Sequence, residues 1–262
     1  MTVAPAIAAT GVAKVYVSNG KAVHAIRDAS FDVPEAAFVS LIGPSGCGKS
    51  TLLKMIGGLD RPTAGELLYQ GKPVDGINHN VGYVPQHDHL LPWRSVASNI
   101  AIGLEFRGES RTAIKARVDE LLRLIGLTTF ANHFPSQLSG GMRKRVSLVR
   151  AFAYNPPCLL MDEPFGALDA QTKLVMQREL LRIWEGNAQT IVFVTHDIEE
   201  AILLSDIVVV MSRPPSTIKA IERVELKRPR DLQRDKFDPA FRTLYAKLWS
   251  SIDQDLSPAG RK

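Results

Sequence analysis

The sequence predicts an α/β fold: a parallel sheet covered by helices, preceded by a small antiparallel sheet and interrupted by a helical insertion. Three observations predict it. Short, nearly continuous apolar runs recur at 38–42, 81–84, 158–161, 190–194 and 207–211, the pattern of strands buried on both faces. Helical periodicity falls between such runs, at Thr172–Trp184 and Ile198–Leu204. From about His87 to Ala153 the strand pattern stops and amphipathic helical patterns replace it.

In chain order, Val12–Val17 and Ala29–Val33 predict the antiparallel sheet. Phe38–Ile42 is the first core strand. It runs into Gly43-Pro44-Ser45-Gly46-Cys47-Gly48-Lys49-Ser50, a match to G-x-x-x-x-G-K-[ST], and the apolar helical run Thr51–Ile56 follows. Strand, glycine-rich loop and helix in this order define a P-loop NTPase core of the RecA-like kind. The glycines let successive N–H groups turn inward around phosphates. The helix adds its N-terminal dipole and its unpaired N–H groups. These features predict an ATP site with Mg²⁺ as cofactor. Lys49 is expected to reach the β- and γ-phosphates, the Ser50 hydroxyl to coordinate Mg²⁺, and Thr51 to touch the α-phosphate.

Gln86 follows the strand 81–84 through Pro85 and opens the helical insertion. There its amide oxygen is expected to reach Mg²⁺, which makes it a sensor between nucleotide and insertion. Within the insertion, Arg111–Leu124 carries a stripe of Ile114, Val118, Leu121, Leu122 and Ile125. Met142–Phe152 carries Val146, Val149 and Phe152 or Ala153 at helical spacing. The next apolar strand, from Cys158, ends in Asp162 and Glu163. Adjacent carboxylates at the end of a buried strand are costly without cationic partners, and a magnesium nucleotide supplies them. Asp162 is expected to hold Mg²⁺ through water, and Glu163 to act as general base on the attacking water. His196 follows the strand 190–194, at the carboxyl edge where open α/β sheets bind ligands. It is expected to hydrogen-bond the γ-phosphate and to count, with Glu163 and Lys49, among the catalytic residues. The charged, proline-containing tail carries one expected helix, Pro239–Ile252.

Leu138-Ser139-Gly140-Gly141-Met142 introduces the helix 142–152, and Ser-Gly-Gly at a helix N-terminus is a second anion-binding arrangement. Gly43–Ser50, Gln86, Leu138–Met142, Asp162-Glu163, Ala167-Leu168-Asp169 and His196 together resemble ABC transporter ATP-binding subunits, in order and in spacing, over about residues 8–225. The resemblance implies a head-to-tail homodimer with ATP at the interface. Ser139, Gly140 and Gly141 of one chain then face the γ-phosphate held by the other. Asp169 lies at the dimer seam, and Tyr16 stacks on adenine. Residues 1–232 form the nucleotide-binding domain with its helical subdomain at about 87–153, and 233–262 form a helical tail. Met142 stands where the family usually has Gln, a variant shared by cassettes that resemble nitrate, sulfonate and taurine importers. Leu90-Leu91-Pro92-Trp93 and Arg213-Pro214-Pro215 followed by Lys227-Arg228-Pro229-Arg230 resemble that group as well. The implied cargo is a small anion of that kind, with a soluble non-transport ABC ATPase or a different small organic solute as alternatives.

Composition fits this reading. The 262 residues carry 45% hydrophobic and 23% charged side chains, an ordinary globular balance. No uncharged apolar stretch is long enough to span a bilayer, so transport requires separate transmembrane permease subunits. The resemblance adds an extracellular or periplasmic solute-binding protein acting indirectly, and a peripheral place on the cytoplasmic face of the inner membrane. The net charge is +5. Its basic residues, including Arg143-Lys144-Arg145 and Lys227-Arg228-Pro229-Arg230, read as solvated faces, with attraction to an anionic membrane surface or a membrane partner as the alternative, rather than as a nucleic-acid footprint. Leu90, Leu91, Pro92, Trp93 and Phe106 are expected to be exposed as an interface, and the resemblance implies that a short helix of the permease docks in this groove. For Trp93 the other reading is core of the helical subdomain.

Overall fold

The computed structural model of the chain describes residues 4–18, 20–166, 168–187 and 189–256. The elements, in order, are β1 (Ile7–Ser18), β2 (Lys21–Val33), β3 (Phe38–Ile42), α1 (Lys49–Ile56), β4 (Ala64–Tyr69), β5 (Lys72–Pro73), β6 (Val81–Val84), α2 (Val96–Phe106), α3 (Arg111–Leu124), α4 (Gly140–Ala153), β7 (Cys158–Asp162), α5 (Ala170–Asn187), β8 (Thr190–Val194), α6 (Ile198–Leu204), β9 (Ile207–Met211), β10 (Ser216–Arg223) and α7 (Pro239–Leu256). The chain divides into two compact units, one running to His79 and resuming at Asn187, the other Asn80–Gly186.

In the first unit the strand order is β5-β4-β1-β2-β10-β9-β3-β8. β1 pairs antiparallel with β2 and β4, with Ile7 opposite Val33 on one side and Tyr69 on the other. β3 lies parallel between β9 and β8. The two ends of this sheet bury themselves differently. β2 alternates, with Ile26, Ala29, Phe31 and Val33 inside, as befits a sheet with one wet face. β3 and β8 are buried at every residue, which is why their sequence is a continuous apolar run. The antiparallel sheet is longer than the sequence predicted, and β4, β5 and β10 were not foreseen. β10 inverts the usual alternation. Ile221 is exposed, while Glu222 is half-buried and ion-paired with Lys247 at 2.7 Å.

In the basic run 227–230, Lys227 is exposed as expected, but Arg228 and Arg230 are not solvated. Arg228 donates to the carbonyl of Leu204, and Arg230 to those of Ile202 and Ser205, at 2.6–2.8 Å. Both also face Asp206, and the Arg230 side chain is 1% exposed. These guanidiniums satisfy carbonyls at the C-terminal end of α6, which have no partner within the helix.

In the second unit β6 and β7 pair in parallel, from Val81 opposite Cys158 to Val84 opposite Met161. The helices α2, α3 and α4 pack on one another. Val118, Leu121, Leu122 and Ile125 are buried, as are Val146, Val149, Phe152 and Ala153, so both predicted stripes face inward except at Ile114, which is only half-buried. Ser95, Ser110 and Ser139 cap these three helices, each accepting from the N–H three residues on. The helix α2 was not foreseen, and Asn99 is one reason. It is fully buried on a helix whose other inward residues are apolar. Its amide donates to the carbonyls of Leu91, Arg94 and Ser95, and its oxygen accepts from Leu91 N–H. Asn99 thereby fixes the 91–95 turn from inside.

Candidate functional site

The phosphate loop is built by the first unit. Gly43 leaves β3 at φ +154°, and a Cβ there would lie 2.6 Å from the Met211 carbonyl oxygen. Gly48 adopts φ +97°, and a Cβ would lie 3.0 Å from Ile26. Both positions therefore require glycine, for backbone conformation and for space. The loop closes with Cys47 N–H donating to Pro44 O at 3.2 Å, while Ser45 and Gly46 form its exposed outer turn. The helix α1 begins without a side-chain cap and with no acid in its first turn. Lys49 is 6% exposed, and its ammonium donates to Gly43 O at 2.9 Å and Pro44 O at 3.0 Å. A cation over an uncapped helix N-terminus is a cradle for phosphate oxygens. Burial pushes the Cys47 thiol pKa up, against the pull of Lys49, so Cys47 is a neutral packing group. Ser50 and Thr51 stand on the first turn of α1. The Tyr16 hydroxyl lies 3.4 Å from Thr51 Oγ1 and 3.0 Å from Asp60 Oδ2, with the Lys14 ammonium 5.0 Å over its ring. Tyr16 and the phosphate loop are thus brought together.

His196 is exposed, directly after β8. Its neighbours hold that turn. Buried Thr195 donates to Glu200 Oε2 at 2.5 Å and accepts from Asp197 N–H at 3.0 Å. Asp197 caps α6 by accepting from Glu199 and Glu200 N–H.

The second unit assembles the other predicted residues. Asp162 closes β7 and is 4% exposed. Glu163 follows at φ +45°, and the Gln86 amide donates to its Oε2 at 3.3 Å. Gln86 and Glu163 are far apart in sequence, and the β6–β7 register brings them together. Burial first, then the charge of Asp162, push the Tyr83 phenol pKa well above its ordinary value. Ser139 Oγ accepts from Met142 N–H at 3.3 Å, and Gly140 and Gly141 form the first residues of α4. Asp169 is exposed and accepts from Gln171 and Thr172 N–H. The hydrogen bonds from Thr172 lower its pKa. Ala167, part of the same motif, lies outside the described residues.

Two expectations about the surface need correcting. Leu90 is buried and Leu91 half-buried rather than exposed, because Asn99 holds the backbone of Leu91 from inside. Lys144 is not a solvated base: it is 3% exposed and donates to Pro85 O and Gln86 O. Trp93 is 72% and Phe106 85% exposed, which rules out the core reading of Trp93. Sequence reasoning missed Lys144, Asn99, Tyr83 and the Thr195–Glu200 pair. A cation in an apolar helix face was the available signal for Lys144.

The fold and a glycine-rich loop of the G-x-x-x-x-G-K-[ST] pattern define a nucleotide-binding class of protein, and comparison with known proteins names its family. The chain belongs to the ABC transporter family, whose profile matches residues 26–166, and it is an ATP-binding cassette ATPase. It is 50% identical over 201 residues to the taurine import ATP-binding protein TauB of Rhizobium johnstonii, covering 77% of each chain. It is 40% identical over 227 residues to the aliphatic sulfonates import ATP-binding protein SsuB of Bacillus cereus, covering 87% of this chain and 89% of that one. A dimeric ATP-binding cassette in a post-hydrolysis state, bound to ADP and phosphate, superposes with a TM-score of 0.77 at 32% identity, covering 84% of this chain and all of that one. No helix among the described residues is long and apolar enough to cross a membrane.

Proposed function

We propose that the chain is the ATP-hydrolysing subunit of an importer for a small anion such as nitrate, an aliphatic sulfonate or taurine. It acts as a head-to-tail homodimer on the cytoplasmic face of the inner membrane, beneath transmembrane permease subunits that a solute-binding protein supplies. Residues 1–232 are its nucleotide-binding domain and 233–262 its tail. The names and coverage of the relatives support the importer reading, and the dimeric neighbour supports the homodimer.

In this reading Lys49 and the N–H groups of 43–51 hold the nucleotide phosphates, and Tyr16 lies against adenine. Ser50, Asp162 and Gln86 offer the hard oxygen donors that Mg²⁺ selects; the ion, when bound, neutralises charge on the phosphates. Glu163 takes the proton of the attacking water, and His196 holds that water near the γ-phosphate. Ser139 and Gly141 complete the site of the partner copy, and Asp169 lies at the seam.

The observation that carries this reading is the Gln86–Glu163 hydrogen bond. It links the proposed base to the segment that leads, within a few residues, to exposed Trp93. Nucleotide chemistry and permease docking therefore share one stretch of chain. The test is Trp93→Ala in proteoliposomes containing permease and binding protein. ATP binding should be retained while uptake falls by about tenfold, the effect of removing an aromatic anchor. Normal uptake would contradict the docking assignment.

A further inference from the structure

We infer that Lys144 is a positioning residue: it ties the helix that begins at Ser139 to the backbone of Gln86, and through Gln86 to Glu163. The contacts form a continuous path within one unit. Ser139 caps α4. Lys144, on the next turn, sends its ammonium to Pro85 O at 2.9 Å and Gln86 O at 2.7 Å. The Gln86 side chain then donates to Glu163 Oε2 at 3.3 Å. A buried ammonium is costly unless hydrogen bonds compensate it, and two carbonyls turn toward this one. Burial lowers the Lys144 pKa, and the charges of Asp162, Asp88 and Glu163 oppose that. The lysine therefore stands in the field of the acid pair.

Two further cations of α4 hold the same loop a little further on. Arg143 donates to Asp88 Oδ2 at 2.9 Å. Arg150 donates to His89 O at 2.9 Å and Asp88 O at 3.2 Å. These fix residues 88–89 and keep the loop folded. Lys144 fixes residues 85–86, where the functional side chain begins. A helix is stiff along its axis, so any shift of its Ser-Gly-Gly end is passed to Gln86 by this strut. Engagement of Ser139 with the partner's γ-phosphate then aligns Gln86 and Glu163 in the same chain. This step rests on the head-to-tail dimer proposed above.

The test compares Lys144→Met with Arg150→Met in the full chain. Lys144→Met keeps the length of the side chain and removes the donor. Its kcat should fall by about a hundredfold, the cost of displacing a catalytic group by an ångström, while KM for ATP stays within about twofold. Arg150→Met should keep kcat within about threefold, since its two hydrogen bonds hold residues 88–89, which lie past Gln86 and carry no proposed catalytic side chain. Lys144→Gln retains a donor of shorter reach. It should fall between wild type and Lys144→Met, and it serves if the methionine variant does not fold. In a Glu163→Gln background, ATP-driven dimerisation should survive Lys144→Met. A normal kcat in Lys144→Met overturns the inference. So does an equal loss in Arg150→Met, or a joint loss of ATP binding and kcat, because each reports loop stability rather than alignment. Wild-type protein that hydrolyses no ATP, or Glu163→Gln protein that does not dimerise with ATP, would instead contradict the functional reading beneath it.

Discussion

The two units build their functional residues in opposite ways. In the first, the proposed phosphate cradle is one short stretch, Gly43–Ser50, shaped by the backbone conformation of its own glycines and by Lys49 folding onto loop carbonyls. In the second, Gln86 and Glu163 come from distant segments, are brought together by the β6–β7 register and are tied through Lys144 to α4, the helix that Ser139 caps. A self-contained loop presents a fixed surface to phosphate. An assembled cluster has joints, and joints are where a partner's binding can be felt. In the proposed function this difference separates holding the nucleotide from responding to it.

The contrast is sharpened most by Glu163→Gln. Removing the proposed base should lower kcat by about a thousandfold, within the range for general-base loss, while equilibrium ATP binding is unchanged. A steady-state phosphate-release assay beside a binding titration checks this, and loss of ATP affinity would merge the two roles. Next in size is Gly43→Ala. Its Cβ would meet the Met211 carbonyl oxygen at 2.6 Å, so stability should fall by about 2 kcal/mol in chemical denaturation, as for other strained backbone positions. Nucleotide affinity should fall with it, because cradle and backbone are one object. Ser139→Ala should separate what Gly43→Ala joins. The lost cap costs about 1 kcal/mol of stability, yet hydrolysis should drop by at least about tenfold, beyond what that stability change explains. A proportionate loss in both would reduce Ser139 to a helix cap.

The smallest effect concerns Asp60, which holds Lys14 and Tyr16. Burial alone raises its pKa, but hydrogen bonds from Lys14, Arg61 N–H and Tyr16 outweigh burial and leave it below the ordinary 3.8. A carboxylate with a lowered folded-state pKa stabilises the protein fully above its unfolded value and loses that contribution as pH falls through the folded one. The stability difference between wild type and Asp60→Asn should therefore be constant near neutrality and shrink below pH 3.8. A difference that grew with acid would reverse the assignment.

How much was legible follows the same division. The strands 38–42, 190–194 and 207–211 were readable because burial on both faces leaves an unbroken apolar run. The phosphate loop was readable because its geometry is local. The helix α2 was not, since buried Asn99 serves the turn before it and blurs the pattern. Nor was β10, where an ion pair with α7 draws Glu222 inward and leaves Ile221 outside. Gln86, Glu163 and Ser139 were readable by position, after a strand, at the end of a buried strand and at a helix N-terminus, but the hydrogen bond that brings Gln86 to Glu163 was not. The clamp that joins Gln86 to α4 was missed because Lys144 sits in a basic run that resembles a solvated face. Long-range hydrogen bonds to backbone carbonyls leave no periodic trace in sequence.

The central claim is that the loop Gly43–Ser50 is half of an active site, completed by Ser139 and Gly141 of a second copy. The most direct test is ATP turnover per subunit as a function of protein concentration, with sedimentation run on the same samples. The account predicts that turnover rises with concentration, in step with the ATP-bound dimer fraction. A rate that stays constant down to concentrations where the chain is demonstrably monomeric would contradict it.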